Sequence, residues 1–136
     1  MVDKSDSVPV QIEHLLGIVR RLRDPDQGCP WDVGQTFQSI VPHTIEEAYE
    51  LADAIESGDF DQIREEAGDV LFQVLFYAQM ADEKQHFNFA DVVDGLSEKL
   101  IRRHPHVFSR NSTAQQETPI AVSDVSDSWE KIKRTE

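Results

Sequence analysis

Glu66-Ala67-Gly68-Asp69-Val70-Leu71-Phe72-Gln73-Val74-Leu75-Phe76-Tyr77-Ala78 is the stretch that decides the fold. From Val70 onward it is apolar on every side and free of proline. A chain of this size holds such a helix only at the centre of a bundle or pressed against a second subunit. Asp59 or Asp61 is suited to cap its start, and it is expected to run to about Lys84. Ahead of it, a helix is expected from about Pro42 to Ser57, ended by Gly58, with Ile45, Ala48, Leu51, Ala52 and Ile55 as its buried stripe. A first helix from about Val10 to Arg23 carries Ile12, Leu15, Leu16, Val19 and Leu22 at three- and four-residue spacing. The prolines and glycine of Asp24-Pro25-Asp26-Gln27-Gly28-Cys29-Pro30 stop it, and Trp31 to Gln35 reads as loop before a short turn around Phe37 to Ile40.

On the far side, a fourth helix from about Ala90 to His104 stops at Pro105. Residues 109–123 are polar without an apolar period and read as a connector, and a short last helix fits about Asp124 to Arg134. No strand pattern stands out. The expected fold is all-α and four-helix-bundle-like, one domain over residues 1–136 with a helical core at about 10–105 and a loosely attached C-terminal tail. Three short neighbours leave the centre of the third helix under-covered, so a homodimer or higher homo-oligomer is expected.

Bulk properties exclude several partners. At 136 residues the chain can bury a real core. A formal net charge of −13 argues against a nucleic-acid polymer, whose binding rests on many cationic contacts, and against an anionic membrane surface. The single cysteine, Cys29, gives no disulfide framework, no signal pattern opens the sequence, and no apolar run reaches spanning length. A cytoplasmic location is expected.

Two acidic repeats, Glu47-Ala48-Tyr49-Glu50 and Glu66-Ala67-Gly68-Asp69, each place two carboxylates three positions apart on one side of a helix. On the second helix alone a solvated face accounts for Glu46, Glu47, Glu50 and Asp53, and Thr44-x-x-Glu47 also fits a capping box. Glu65 and Glu66 suit a first helical turn. Asp69 resists such explanations, because a helical wheel sets it near Phe72 and Phe76, and the nearest base, Arg64, is five positions back. A buried carboxylate needs a proton, a basic partner or a metal, and metal is the best of these here. Four-helix di-iron sites use Glu-x-x-His and zinc sites favour Cys or His. An all-carboxylate set of Glu47, Glu50, Glu66 and Asp69 suits Mg²⁺, with Mn²⁺ as a substitute, and a protein that gathers Mg²⁺ this way usually handles phosphates.

Lys99, Arg102, Arg103, His104 and His106 form a basic cluster in an acidic chain. Cations before Pro105 offset a helix dipole, but Lys99 and Arg103, four apart, can also face one anion. Trp129 and Lys133 repeat that spacing, offering a stacking face and a charge, although the residues alone slightly favour Trp129 as an anchor that pins the tail to the bundle. Trp31 reads as a core plug rather than a base contact, Cys29 as a small buried thiol, and His14 and His43 as without a chemical role.

Taken together, these residues resemble the MazG-type, all-α nucleoside triphosphate pyrophosphohydrolases. The likeness rests on Gly28-Cys29-Pro30-Trp31-Asp32 with Gln35-Thr36, on Thr44-Ile45-Glu46-Glu47-Ala48-Tyr49-Glu50, and on Gly68-Asp69-Val70-Leu71-Phe72-Gln73-Val74. It continues through residues 99–108 and Trp129-Glu130-Lys131-Ile132-Lys133, so that it spans roughly residues 11 to 134. The resemblance implies Mg²⁺-dependent hydrolysis of a nucleoside triphosphate to the monophosphate and pyrophosphate; a carboxylate of the first pair, Glu47 in preference to Glu50, is expected to orient the attacking water or accept its proton. It implies Lys99, Arg103 and Lys133 on phosphates and Trp129 near sugar or base, with Arg102 a weaker candidate facing solvent. Longer bacterial members carry two such domains in tandem; one is expected here, without a regulatory second half. The alternatives are a narrower pyrophosphatase acting on dUTP, dCTP or a damaged nucleotide, and a non-enzymatic helical module whose acidic face docks a basic partner.

Overall fold

The computed structural model describes residues 4–108 and 120–136. Among these the chain is all-helical: after a short 3-10 turn at Lys4–Ser7 come α1 (Val8–Leu22), α2 (Pro30–Val33), α3 (Phe37–Ser57), α4 (Phe60–Glu83), α5 (Phe89–Arg103), α6 (Pro105–Phe108) and α7 (Val122–Thr135). Two compact units divide between Phe89 and Ala90. Residues 109–119 of the expected connector lie outside the described residues, and α7 begins at Val122, two residues ahead of its expected start.

In the first unit, α3 and α4 form an antiparallel hairpin joined by Gly58 and Asp59. Gly58 ends α3 in the left-handed region at φ 76°, where glycine carries no Cβ penalty. Asp59 caps α4 by accepting from the backbone N–H of Asp61 and of Gln62. α1 packs on α4, with Val19 buried. A core of Ile40, Phe76 and Met80, flanked by Phe37, Phe72 and Tyr77, fills the end of the hairpin away from the Gly58 turn.

Several details differ from expectation. The short turn and the second helix are one helix. Thr36 and Ser39 make a reciprocal capping box that starts it at Phe37, leaving Pro42 inside, where it removes the N–H that would serve Gln38. Thr44 therefore caps nothing. Its hydroxyl reaches Gln73 Oε1 at 3.0 Å and the Tyr77 hydroxyl at 2.7 Å, so that buried Gln73 finds a partner across the hairpin. Trp31 lies in a helical turn rather than a loop and is half exposed, its edge against His43 at 5.4 Å, so it does not plug the core.

The larger correction concerns the inner face of α3. Ile45, Ala48, Ala52 and Ile55, expected to be buried, are exposed, while Ile40 and Ala54 are buried and Thr44, Glu47 and Leu51 half-buried. Those inward residues recur at spacings of four and three, so the side of α3 that meets α4 is the one carrying Thr44 and Glu47. The apolar stripe faces outward on this chain. Leu71 and Val74 of α4 are likewise exposed, although the second half of that helix is well buried.

The segment between α1 and α3 is held by Arg23. Its Nη1 donates to the carbonyls of Asp32, Val33 and Gln35 at 2.7, 3.2 and 3.1 Å, filling acceptors that the end of α2 leaves open. Its Nη2 meets Glu83 at 2.7 Å, and its guanidinium lies over the Phe76 ring at 5.5 Å. Gly28 lets the same segment close. A Cβ there would stand 2.4 Å from the Leu22 carbonyl oxygen and 2.5 Å from that of Asp24, so only glycine fits.

Candidate functional site

Residues Glu47 and Glu50 lie one turn apart on α3, and Glu66 and Asp69 one turn apart on α4. Because the hairpin is antiparallel, the two pairs meet across it. Each residue offers a carboxylate oxygen, and the four oxygens lie within 4.8 Å of one another. Four negative charges so close repel strongly unless something positive or a proton intervenes.

Burial distributes the strain unevenly. Glu47 and Glu66 are half-buried, and each has one oxygen, Oε2, shielded from solvent without a hydrogen-bond partner. Removal from water pushes the Glu47 carboxyl above the ordinary glutamate range, and the neighbouring Glu50 and Asp69 charges push it further. Glu66 is raised in the same way, first by desolvation and then by Glu50. Glu50 and Asp69 are exposed.

Asp69 is thus not sunk among phenylalanines. The fully buried residues of α4 all lie at Gln73 or beyond, and Asp69 itself is exposed. The shielded, unpartnered oxygens that a cation or a proton would satisfy belong instead to Glu47 and Glu66. Arg64 is no substitute partner, since it and Asp61 pair in solvent at 3.4 Å. The donor set still fits a hard divalent ion: oxygen ligands alone, two of them with orphaned atoms, and no Cys or His among them.

In the second unit, most of the basic and aromatic residues come together. Arg103 of α5 lies 5.4 Å from the Trp129 ring centroid, and Lys133 Nζ lies 4.2 Å from it. Glu136, missed by sequence reasoning, holds the cluster. Its carboxylate accepts from Arg103 Nη2 at 2.9 Å and Nε at 3.3 Å, and from Arg102 Nε at 3.0 Å. Trp129 and Lys133 of α7 and Glu136, which caps its end, recur at spacings of four and three, which is the signal that could have found it. Arg102 is half exposed yet bonded, and exposed Lys99 takes no part in these contacts. Trp129 here pins α7 to α5.

Hydrogen bonds from Arg103, then from Arg102, hold the Glu136 carboxyl down at about 2 instead of 4.5. A depressed acid stabilises the fold above its unfolded pKa and loses that contribution as pH falls through the folded one. The attachment of α7 is therefore expected to be complete above pH 4.5 and to release as pH drops toward about 2. The Trp129 indole resonance should follow that titration, and a Trp129 shift complete by pH 4 would contradict it.

Comparisons with known proteins agree on one family. The MazG nucleotide pyrophosphohydrolase domain matches residues 35–108. A nucleoside triphosphate pyrophosphohydrolase of Escherichia coli is 53% identical over 126 residues, covering 93% of this chain and 46% of that protein. The nucleoside triphosphate pyrophosphohydrolase/pyrophosphatase MazG of Thermotoga maritima is 52% identical over 99 residues, covering 73% of this chain and 38% of that protein. The chain thus spans less than half the length of these two relatives. A crystal structure of a mazG-related protein from Thermotoga maritima matches with a TM-score of 0.68 at 26% identity, covering 90% of this chain and 98% of that one.

Proposed function

Because the chain belongs to the MazG nucleotide pyrophosphohydrolase family, we propose that it hydrolyses nucleoside triphosphates to the monophosphate and pyrophosphate with Mg²⁺, or Mn²⁺ in its place. The observation that carries this reading is the four-carboxylate seam with buried, unpartnered oxygens on Glu47 and Glu66. Glu47, Glu50, Glu66 and Asp69 would hold the ion. When bound, it screens phosphate charge and lowers the pKa of water.

The chain's own residues supply the rest. Glu47, of the first carboxylate pair, orients the attacking water and accepts its proton. The water oxygen bonds to the α-phosphorus, the bond to the bridging oxygen breaks, and pyrophosphate leaves with that electron pair. Lys99, Arg102, Arg103 and Lys133 take the charge of the phosphate chain, and Trp129 borders the sugar or base. Residues 1–136 are read as serving this one reaction together. The exposed Ile45, Ile55, Leu71 and Val74 support a homo-oligomer that covers them. One cysteine and the absence, among the described residues, of a helix able to cross a membrane support a cytoplasmic setting.

Product analysis tests the reading. With several nucleoside triphosphates and Mg²⁺, pyrophosphate is expected, and turnover should vanish in excess chelator. Orthophosphate as the first product, or undiminished turnover in chelator, would overturn it.

A further inference from the structure

We propose that Glu136 is an internal competitor for the anion site of Arg102 and Arg103, beside Lys133: its carboxylate occupies the guanidinium donors that a substrate phosphate takes, and the incoming anion displaces it. The proposal rests on the reading above that these cations take the triphosphate. Its geometry is that of anion recognition. Arg103 presents Nε and Nη2 to the two carboxylate oxygens at 3.3 and 2.9 Å, the two-pronged arrangement by which a guanidinium also holds a phosphate. Arg102 adds a third donor at 3.0 Å.

Charge is left over. Arg102 and Arg103 both meet the one Glu136 carboxylate, Lys133 stands over the Trp129 ring that Arg103 also contacts, and Glu98 is the further acid acting on Arg102. The side chains of Arg103 and Glu136 are 17% and 22% exposed, so the contact is partly shielded while an incoming anion can still reach it. A carboxylate brings one charge and two oxygens, whereas a terminal phosphate brings up to two charges and three oxygens. Such a pocket stays shut to monoanions and opens to a polyphosphate. While Glu136 is seated, only the fraction of molecules with the pocket open can bind, and the apparent affinity falls by that fraction.

Inorganic tripolyphosphate with Mg²⁺, titrated by calorimetry, is the probe, because it has no base to complicate the result. Glu136→Gln keeps the length and one acceptor of the side chain but removes its charge. Its Kd is expected to fall roughly fivefold, since the competitor is weakened. Glu130→Gln, which removes an exposed acid from the same helix, should leave Kd unchanged, and Arg103→Ala should raise it. Equal or weaker binding by Glu136→Gln overturns the proposal and leaves Glu136 as an anchor for α7. Equal tightening by Glu130→Gln overturns it too, by reducing the effect to general charge. If Arg103→Ala binds like the parent, the assignment of phosphate to this cluster fails, and displacement fails with it; if it binds more weakly while Glu136→Gln does not tighten, displacement alone fails.

Discussion

Glu66→Gln is expected to remove metal-stimulated hydrolysis while leaving the α3–α4 hairpin intact. The substitution keeps the shape of the side chain and deletes the charge whose buried oxygen lacks a partner. Loss of one preorganised electrostatic contributor lowers kcat by about 100- to 1,000-fold. A second measurement separates function from folding. In the parent, Mg²⁺ at about a hundred times its Kd stabilises the native state by about 2.7 kcal/mol, which for a chain of this size raises Tm by roughly 10 °C. In Glu66→Gln most of that rise should disappear. In chelator the variant should melt no lower than the parent, because it relieves repulsion from Glu50, Asp69 and Glu47. Parent-like turnover in this variant would place the chemistry elsewhere.

Phe76→Ala is expected to be the most damaging truncation in the first unit. Phe76 is 1% exposed, packs with Ile40 and Met80, meets Phe72 edge-on at 5.6 Å, and lies beneath the Arg23 guanidinium. Removing the ring leaves a cavity and takes away the surface on which Arg23 rests, and such losses cost about 3–5 kcal/mol. Urea denaturation should show the loss as a lower midpoint. A change under about 1 kcal/mol would mean that the neighbouring side chains collapse into the space.

The sequence made the long helices, their order and the acidic seam legible, though not the short α2 and α6, and the resemblance it suggested is borne out by the family match. Gly58 and Asp59 were readable because a left-handed residue and an N-cap each demand particular side chains. Pro42 misled, since proline is welcome at a helix start and the stronger cap, Thr36 with Ser39, lay six residues earlier. The burial of α3 was inverted. Its apolar residues look like a core stripe, but the side that meets α4 carries Thr44 and Glu47, and only the partner helix could reveal this.

Asp69 drew attention for a reason that the structure does not support. The wheel gave its angle but not its depth, and the fully buried residues of α4 begin only at Gln73. Glu47 and Glu66, which looked ordinary on their helices, carry the buried oxygens. Arg23 and Glu136 stayed hidden because their partners lie 9 to 60 and 33 to 34 positions away, beyond any local pattern.

With only Gly58 and Asp59 between α3 and α4, all four ligand carboxylates fall within residues 47–69. Bringing them together requires no long-range search by the chain. Contacts so near in sequence close early, ahead of pairings between remote segments. On the proposed reading, a divalent ion would find its four carboxylates assembled by the hairpin alone, before remote segments pair.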